Sequence, residues 1–266
     1  MNIDNQIPKI IHYAWFGNTP KPKYLIDNLN SWKKACPDYQ IIEWNETNFD
    51  VGLFDYTREA FFEKKYAFVS DFLRIYAVYN YGGIYLDTDV NLEKDFSPFL
   101  DYSFFTCFEN KTMINLAVFG AKKEDPRVKK LLDYYSKLSF YKDKKKKKKN
   151  LLPITFLISS FMKNLGFKLN GKTQTLDNFL ILSSEYYFPL DCVSKKIYRT
   201  DNTRGVHQYA FSWADDFRVN RDKLVRFLRI ILGKYIFEFF ENVYLKIWLF
   251  FYNKKIRKVF KKAKRL

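Results

Sequence analysis

Two carboxylates separated by one residue, Asp87 and Asp89, follow a short apolar segment in the sequence YGGIYLDTDV. In a β-strand, residues i and i+2 point to the same face, so this spacing directs both carboxylates towards one point. At the carboxyl end of a strand in an open α/β sheet, that point lies in the ligand-binding crevice. Paired carboxylates suit a hard divalent cation that also binds phosphate oxygens. The pattern therefore predicts a metal site for a reaction with a diphosphate leaving group.

The Asp-x-Asp spacing is weak when taken alone, because it also occurs in solvated turns that follow strands. Here it follows an apolar strand candidate, which itself follows Gly82 and Gly83 at the end of a helical pattern. A Gly pair is a common helix stop, so the order is helix, turn, strand and carboxylates. This context favours the metal site over the solvated turn.

Asp71 and Arg74 lie three residues apart in the helical segment that ends at Gly82. At this spacing two side chains share one helix face, so they can form an ion pair or bind a ligand together. The segment leads directly into the strand that carries Asp87. We therefore expect the pair to lie near the metal site.

The late segment VHQYAFSW contains three further candidates, His207, Ser212 and Trp213. Imidazole is a common ligand of transition metals, and an indole can donate a hydrogen bond to phosphate or stack on a base. The alternative is a hydrogen-bonded structural histidine beside a core tryptophan. The chain has only two histidines, His12 and His207, so the sequence does not support a zinc hydrolase or a serine triad. It contains no phosphate-loop motif, so it does not support a P-loop enzyme.

The elements that must position these residues follow from periodicity and from helix stops. The opening of the chain predicts a strand at residues 7–17, a helix within 21–37 that ends before Pro37, and a strand at 39–45. This strand–helix–strand order predicts an α/β fold with a mostly parallel sheet. The further predictions are a helical pattern at Arg58–Tyr81 with a break near Tyr66, strands in SFFTCFEN and AVFGA, helices at Pro126–Phe140 and 153–165, and strands at Phe179–Ser183 and Tyr186–Pro189.

Composition sets the size and the charge of the protein. The chain has 266 residues, of which 47% are hydrophobic, enough for one well-buried domain with additions at its ends. The net charge of +17 is concentrated at Lys144–Lys149, expected to be a solvated loop, and in residues 253–266. Residues 221–252 are apolar with recurrent charges, which predicts amphipathic helices rather than a membrane span.

Location is predicted from what the sequence lacks. The first ten residues show no secretory signal, and Cys36, Cys107 and Cys192 match no zinc spacing and are expected to be reduced. We expect a cytoplasmic protein that binds the inner face of the cell membrane through its basic end. Nucleic acid is a weaker expectation, because the basic residues do not alternate with aromatic residues on one platform.

Four ordered blocks, IPKIIHYAWFG, SWKKACPDYQIIEWNETNFD, AFVSDFLRIYAVYNYGGIYLDTDV and HQYAFSW, resemble glycosyltransferase family 32. This family has a DXD sugar-binding region and is common in bacterial gene clusters for capsule and surface polysaccharides. The resemblance implies a GT-A fold, that is, a Rossmann-like and mostly parallel sheet flanked by helices, over residues 1–220. Residues 221–266 would form a helical C-terminal extension outside the resemblance.

The resemblance also implies roles at the metal site. Asp89 would be a direct ligand of Mn²⁺ or Mg²⁺, and Asp87 would contact metal-bound water and the ribose or sugar. His207, Ser212 and Trp213 would complete the metal and diphosphate site.

At the donor site, Asp71 and Arg74 would hold the sugar hydroxyls, Tyr85 would line the pocket and Trp15 would lie beside the base. The residues that the resemblance implies for catalysis are Asp71, Arg74, Asp87 and Asp89.

The predicted function is a retaining hexosyltransferase with a nucleotide-sugar donor, UDP-hexose being favoured. The acceptor would be a surface-polysaccharide or lipid-linked glycan. Two alternatives stay open at this point. One is a non-catalytic basic protein that binds nucleic acid or membrane, and the other is a protein-modifying glycosyltransferase of the same fold.

Overall fold

The structure is a computed structural model that describes residues 6–143, 148–149, 154–191 and 194–210. The strands are β1 (Ile10–Ala14), β2 (Gln40–Trp44), β3 (Gly83–Leu86), β4 (Val90–Leu92), β5 (Phe104–Phe108), β6 (Ile114–Ala121), β7 (Tyr141–Asp143), β8 (Lys148–Lys149), β9 (Gln174–Leu176), β10 (Phe179–Leu182) and β11 (Gly205–His207). The helices are α1 (Lys23–Ala35), α2 (Asp55–Phe62), α3 (Tyr66–Tyr81), α4 (Pro126–Ser136) and α5 (Ile154–Asn164).

The main sheet has seven strands in the order β2-β1-β3-β6-β5-β10-β9. Strands β1, β2 and β3 are parallel, β6 is antiparallel to both of its neighbours, and β9 is antiparallel to β10. Since β10 is parallel to β5, all strands except β6 and β9 run in one direction. The predicted α/β fold with a mostly parallel sheet is confirmed.

The core covers both faces of this sheet. Every residue of β3, β5 and β10 is buried, whereas a strand with one solvated face would alternate. Helix α3 contacts β1, β3 and β6, and α5 contacts β6. Aromatic side chains fill much of the space, and Phe104 and Phe179 pack with ring centroids 4.4 Å apart.

Helix α1 buries one stripe, Leu25, Asn28 and Trp32, at helical spacing. The Trp32 indole donates a 2.7 Å hydrogen bond to the carbonyl of Val90. This bond ties α1 to β4, the short strand that follows Asp89.

The predicted break near Tyr66 is confirmed, because α2 ends at Phe62 and α3 begins at Tyr66. Lys64, between them, has a φ of 54°, which ends the first helix. At the other end of α3, Gly83 has a φ of 99°, and a Cβ there would lie 2.6 Å from the carbonyl oxygen of Ile10. A residue with a side chain would therefore clash at the point where the chain enters β3.

Three segment predictions were wrong. Residues 186–189 form no strand, because Phe188 N donates to Ser184 O at 2.7 Å and closes a local turn after a 3₁₀ helix at Ser184–Tyr186. Helix α4 ends at Ser136 rather than Phe140.

The lysine block is the third. Lys148 and Lys149 pair with β7, and Lys149 lies 2.5 Å from Glu63, so this end of the block is a hairpin strand rather than a solvated loop.

Other predictions fall outside the described residues. These are Lys144–Lys147, Cys192 and the whole extension at 221–266. Cys36 and Cys107 are buried and form no disulfide, as expected for reduced thiols. Among the described residues, no helix is both long enough and apolar enough to cross a membrane.

Candidate active site

The Asp87-Thr88-Asp89 segment lies in a turn between β3 and β4. The expected geometry, a continuous strand that points both carboxylates to one face, was therefore wrong in detail. The pairing of β3 with β6 ends at Leu86, although the next residue still donates a hydrogen bond, from Asp87 N to Ala117 O at 2.8 Å. The turn itself is closed by a hydrogen bond from Val90 N to Asp87 O at 3.1 Å. The turn nevertheless lies at the carboxyl end of β3, where open α/β sheets bind ligands.

Asp87, Asp89 and His207 form a compact cluster, hereafter the triad. One ligand atom from each residue lies within 4.8 Å of the others. His207 reaches the turn because β11 pairs antiparallel with β4, which places His207 opposite Val90. Its Nε2 atom lies 3.3 Å from Asp89 Oδ1. The structure thus brings together the three residues that the sequence proposed as metal ligands.

Backbone hydrogen bonds fix Asp89 within this triad. Its side-chain Oδ2 accepts from Ala210 N at 2.8 Å, and its carbonyl accepts from Gln208 N at 2.8 Å. Opposite it, His207 is 7% exposed, and its Nδ1 has no hydrogen-bond partner in the described part of the chain. The nitrogen that faces the carboxylates is Nε2, so Nε2 is the candidate ligand atom.

Arg74 connects the triad to helix α3. Its Nη2 lies 3.0 Å from Asp71 and 3.1 Å from Asp87, and its Nε donates to Ser70 O at 3.3 Å. The predicted pairing of Asp71 with Arg74 is confirmed as an ion pair. Because the guanidinium contacts two carboxylates and a carbonyl, it is held in one orientation.

The site contains three carboxylates, those of Asp71, Asp87 and Asp89, and the guanidinium of Arg74. Burial raises the pKa of Asp71 to about 7, against the effect of Arg74 and with a further contribution from Asp87. Burial also raises the pKa of Asp87, with Asp89 adding to the shift and Arg74 and His207 opposing it. For Arg74, burial lowers the pKa, but Asp87 and Asp71 raise it by more.

The residues present fit a divalent cation. Two carboxylates and one imidazole are suitable donors for Mn²⁺, and carboxylates with water suit Mg²⁺. A cation among them would also relieve the repulsion between Asp87 and Asp89 that raises the pKa of Asp87. His207 Nε2, which lies 3.3 Å from Asp89 Oδ1, and the two neighbouring carboxylates are the observations that support this fit.

Two predicted donor-site residues occupy different surroundings. Tyr85 is 1% exposed, and the Arg74 guanidinium lies 5.0 Å from its ring centroid, so Tyr85 contacts Arg74 rather than an open pocket. Trp15 follows β1 at the same sheet edge and donates to Thr19 O at 2.8 Å. Within the described residues, no hydrogen bond or ring contact joins Trp15 to the triad. Ser212 and Trp213 lie outside the described residues.

Asn28 is a site residue that the sequence analysis missed. It is fully buried, donates to Thr88 O at 3.0 Å and to Gln208 Oε1 at 3.1 Å, and accepts from Asn91 at 3.2 Å. It therefore connects α1, the Asp-Thr-Asp turn and the segment after His207. The available signal was an amide placed on the apolar stripe of an amphipathic helix.

Glu109 and Asn115 were also missed. Glu109 directly follows β5, and Asn115 Nδ2 donates to its Oε2 at 3.1 Å. A carboxylate directly after an apolar strand is the same signal that singled out Asp87.

Comparison with known proteins gives a match over part of the chain. Residues 22–106 match the family model described as glycosyltransferase sugar-binding region containing DXD motif. These residues include α1, the Asp71–Arg74 pair and the Asp-Thr-Asp turn. The predicted resemblance to DXD glycosyltransferases is confirmed at this level. The finer assignment to family 32 and to a bacterial capsule type stays a prediction.

Two curated relatives are similar over part of the chain. Inositol phosphoceramide mannosyltransferase 3 of Schizosaccharomyces pombe is 29% identical over 45% of this chain and 35% of its own length. Mannosyl phosphorylinositol ceramide synthase CSH1 of Saccharomyces cerevisiae is 28% identical over 49% of this chain and 36% of its own length. The chain thus spans about a third of each relative it matches.

Solved structures give weaker likenesses. The PaToxG glycosyltransferase has a TM-score of 0.43 at 20% identity, over 48% of this chain and 60% of that chain. The galactosyltransferase LgtC, in complex with donor and acceptor sugar analogs, has a TM-score of 0.38 at 13% identity, over 78% of this chain and 90% of that one. The fold is GT-A in the predicted sense, a Rossmann-like and mostly parallel sheet with helices packed on it, as its own strand order shows.

Proposed function

We propose that this chain is a metal-dependent glycosyltransferase that transfers a hexose from a nucleotide-sugar, with retained anomeric configuration, to a lipid-linked or surface glycan. The observation that carries the proposal is the triad at the carboxyl edge of the sheet. Two of its members, Asp87 and Asp89, lie with Arg74 in the matched glycosyltransferase region. A divalent cation and an arginine are the groups that a leaving diphosphate needs.

Asp87, Asp89 and His207 would hold Mn²⁺ or Mg²⁺, and the bound ion would neutralise negative charge on the leaving diphosphate. Arg74 presents a fixed guanidinium beside Asp87, which suits contacts with donor sugar hydroxyls or with the diphosphate. Asp71 would accept hydroxyl hydrogen bonds and hold Arg74 in place. The chain's contribution is to position donor and acceptor, and the leaving diphosphate would take the acceptor proton, so no general base is assigned.

The names of the two relatives favour a particular donor class. One is named an inositol phosphoceramide mannosyltransferase, and the other a mannosyl phosphorylinositol ceramide synthase. A second candidate function is therefore mannosyl transfer from GDP-mannose to a lipid headgroup, in place of the UDP-hexose donor that we predict from the sequence. Pocket shape selects the base and the sugar, so the two donors must be compared directly.

The test is thermal shift with UDP and with GDP, each with Mn²⁺ or with EDTA, on the wild type and on Asp89→Ala. We expect a metal-dependent rise in Tm with one nucleotide and its loss in the variant. Asp27→Ala is the matched control, because Asp27 is an exposed carboxylate on α1 with 53% of its side chain accessible. The nucleotide that binds then selects the sugars for a release assay, in which EDTA should abolish turnover and Mn²⁺ should restore it.

The absence of a shift with either nucleotide would favour the non-catalytic alternative. Salt-sensitive nucleic-acid binding without any effect of Mn²⁺ would support that alternative directly.

We also propose that the protein attaches to the inner face of the cell membrane through its basic C-terminal residues. Each basic residue near an anionic surface contributes about 1 kcal/mol. Replacement of Lys254, Lys255, Arg257 and Lys258 by Gln should release the full-length protein from phosphatidylserine vesicles in flotation. Replacement of the exposed Lys163, Lys168 and Lys172 is the control. Equal flotation of both variants would contradict attachment through the C-terminus.

A further inference from the structure

Glu109 lies at the same edge of the sheet as the Asp-Thr-Asp turn. Strands β3 and β5 both pair antiparallel with β6, so the carboxyl ends of β3 and β5 meet at one edge. Asp87 follows β3 and is hydrogen-bonded to Ala117 of β6, and Glu109 follows β5, whose last residue pairs with Ile114. The two carboxylates are therefore separated by one intervening strand.

The position of Glu109 is fixed by a short chain of hydrogen bonds. Its backbone N donates to Met113 O at 2.8 Å, and its Oε2 accepts from Asn115 Nδ2 at 3.1 Å. Asn115 Oδ1 in turn accepts from Ala117 N at 2.8 Å. The same Ala117 accepts from Asp87 N, so Glu109 and the triad share one rigid support.

Glu109 lies near the triad without being one of its members. His207 lies near enough to lower the pKa of Glu109, although burial raises it by more. Within the described residues, no Lys or Arg forms an ion pair with Glu109. A partly buried carboxylate without a cation is costly, which argues that it serves a ligand.

We propose that Glu109 contacts the transferred hexose, accepting hydrogen bonds from sugar hydroxyls beside the triad, and that Asn115 is the residue that positions it. The inference rests on the proposed glycosyltransferase function and names a sugar-binding group in the same site. Carboxylates are the strongest hydroxyl acceptors among side chains, and their charge also stabilises positive charge that develops on a sugar ring. The alternative is a purely structural carboxylate that stabilises the β5–β6 connection through Asn115.

The two roles can be separated by comparing nucleotide binding with nucleotide-sugar binding. Glu109→Gln keeps the shape and one oxygen, and Glu109→Ala removes the group. These two variants and Asn115→Ala would be titrated by calorimetry in the presence of Mn²⁺. The ligands would be the nucleoside diphosphates UDP and GDP and, separately, the nucleotide-sugars UDP-glucose, UDP-galactose and GDP-mannose. Glu124→Gln is the control, since Glu124 is an exposed carboxylate with 68% of its side chain accessible.

We expect Kd for the nucleoside diphosphate to stay within about twofold of wild type in Glu109→Gln. Kd for the intact nucleotide-sugar and its turnover should both worsen by about 10- to 100-fold, as expected for loss of a charged hydrogen-bond acceptor. Asn115→Ala should give a smaller change of the same pattern. If Glu109→Ala fails to fold, the Gln variant still decides the question.

Equal loss of nucleotide and nucleotide-sugar binding would assign Glu109 to the metal–diphosphate site and overturn the proposal. No change in either would overturn it as well. If the wild-type protein binds no nucleotide in Mn²⁺, both the proposed function and the role of Glu109 are contradicted. If the wild-type protein binds the nucleotide-sugar and Glu109→Gln binds it equally well, only the role of Glu109 is contradicted.

Discussion

The two histidines of this chain occupy regions with opposite hydrogen-bonding states. His12, in strand β1, is fully buried, with Nε2 2.8 Å from Gly82 O and Nδ1 accepting from Trp44 Nε1 at 3.1 Å. His207, in the short strand β11, directs Nε2 towards Asp89, and its Nδ1 has no hydrogen-bond partner among the residues that the structure describes. Both rings are buried, so burial does not distinguish them. The partners of the ring nitrogens do distinguish them, because both nitrogens of His12 are engaged by core groups, whereas Nε2 of His207 faces a carboxylate.

The buried surroundings of His12 also determine its protonation state. Burial lowers the pKa of His12 to about 4, because a charged ring there would lose water, and the bond to Gly82 O offsets only part of this effect. His12 therefore stays neutral at neutral pH, with one fixed tautomer. A neutral imidazole with both nitrogens occupied has no lone pair left for a metal.

The largest expected effect is on activity, from His207→Phe. The phenyl ring keeps the packing against Phe188 and Tyr209 but removes both nitrogens. We expect turnover to fall about 10²- to 10³-fold, the usual effect of losing one group that stabilises charge in the transition state. The Mn²⁺-dependent thermal shift should disappear while the Tm of the free protein changes little. A variant that keeps the shift would remove His207 from the proposed ligands.

The matched change, His12→Phe, should act on stability instead. It leaves the Trp44 indole without an acceptor and Gly82 O without a donor, both in the core. Two unsatisfied buried groups predict a loss of about 2–4 kcal/mol in the free energy of unfolding, measured by urea denaturation. Turnover per folded molecule should stay near wild type. A selective loss of turnover would mean that the comparison between the histidines is wrong.

The lowered pKa of His12 predicts how stability depends on pH. In the unfolded chain an ordinary histidine titrates near 6.5, whereas in the folded chain His12 titrates at about 4. Between these values the unfolded state binds more protons, so stability is fully present above pH 6.5 and is lost as the pH falls towards 4. The contribution of His12 should fall by about 2 kcal/mol between pH 7 and pH 5.

His12→Gln supplies the reference for this measurement, because glutamine does not titrate. The difference between the two urea-denaturation profiles isolates His12 from the other groups. Parallel profiles would show that the ring is not buried in its neutral form.

The smallest expected effect comes from removing a single hydrogen bond of His12, the one that Trp44 donates. Trp44→Phe removes the donor to His12 Nδ1 and keeps most of the ring that packs near Tyr81. We expect a loss of about 1 kcal/mol in the free energy of unfolding, the typical net value of one hydrogen bond, with turnover unchanged. A much larger loss would indicate that the indole packs the core rather than orienting His12.

Much of the frame of the site could be predicted from local sequence. The end of α3 at Gly82 and Gly83, the Asp71–Arg74 pair and the carboxylates after β3 follow from helical spacing and helix stops, which depend on neighbouring residues only. The missed residues depend on distant partners. Asn28 contacts a turn sixty positions further along, and Glu109 acquires its place through β6.

The sequence by itself determined the element types, the α/β class and the carboxylates at the end of an apolar strand, because these depend on side-chain periodicity within a few residues. Only the tertiary structure decided that Asp87 and Asp89 lie in a turn, that the pairing of β11 with β4 brings His207 to them, and that Glu109 lies across β6. The physical reason is that strand pairing joins residues far apart in the chain, such as Val90 and His207, and pairing register is fixed by burial of whole faces rather than by local propensity.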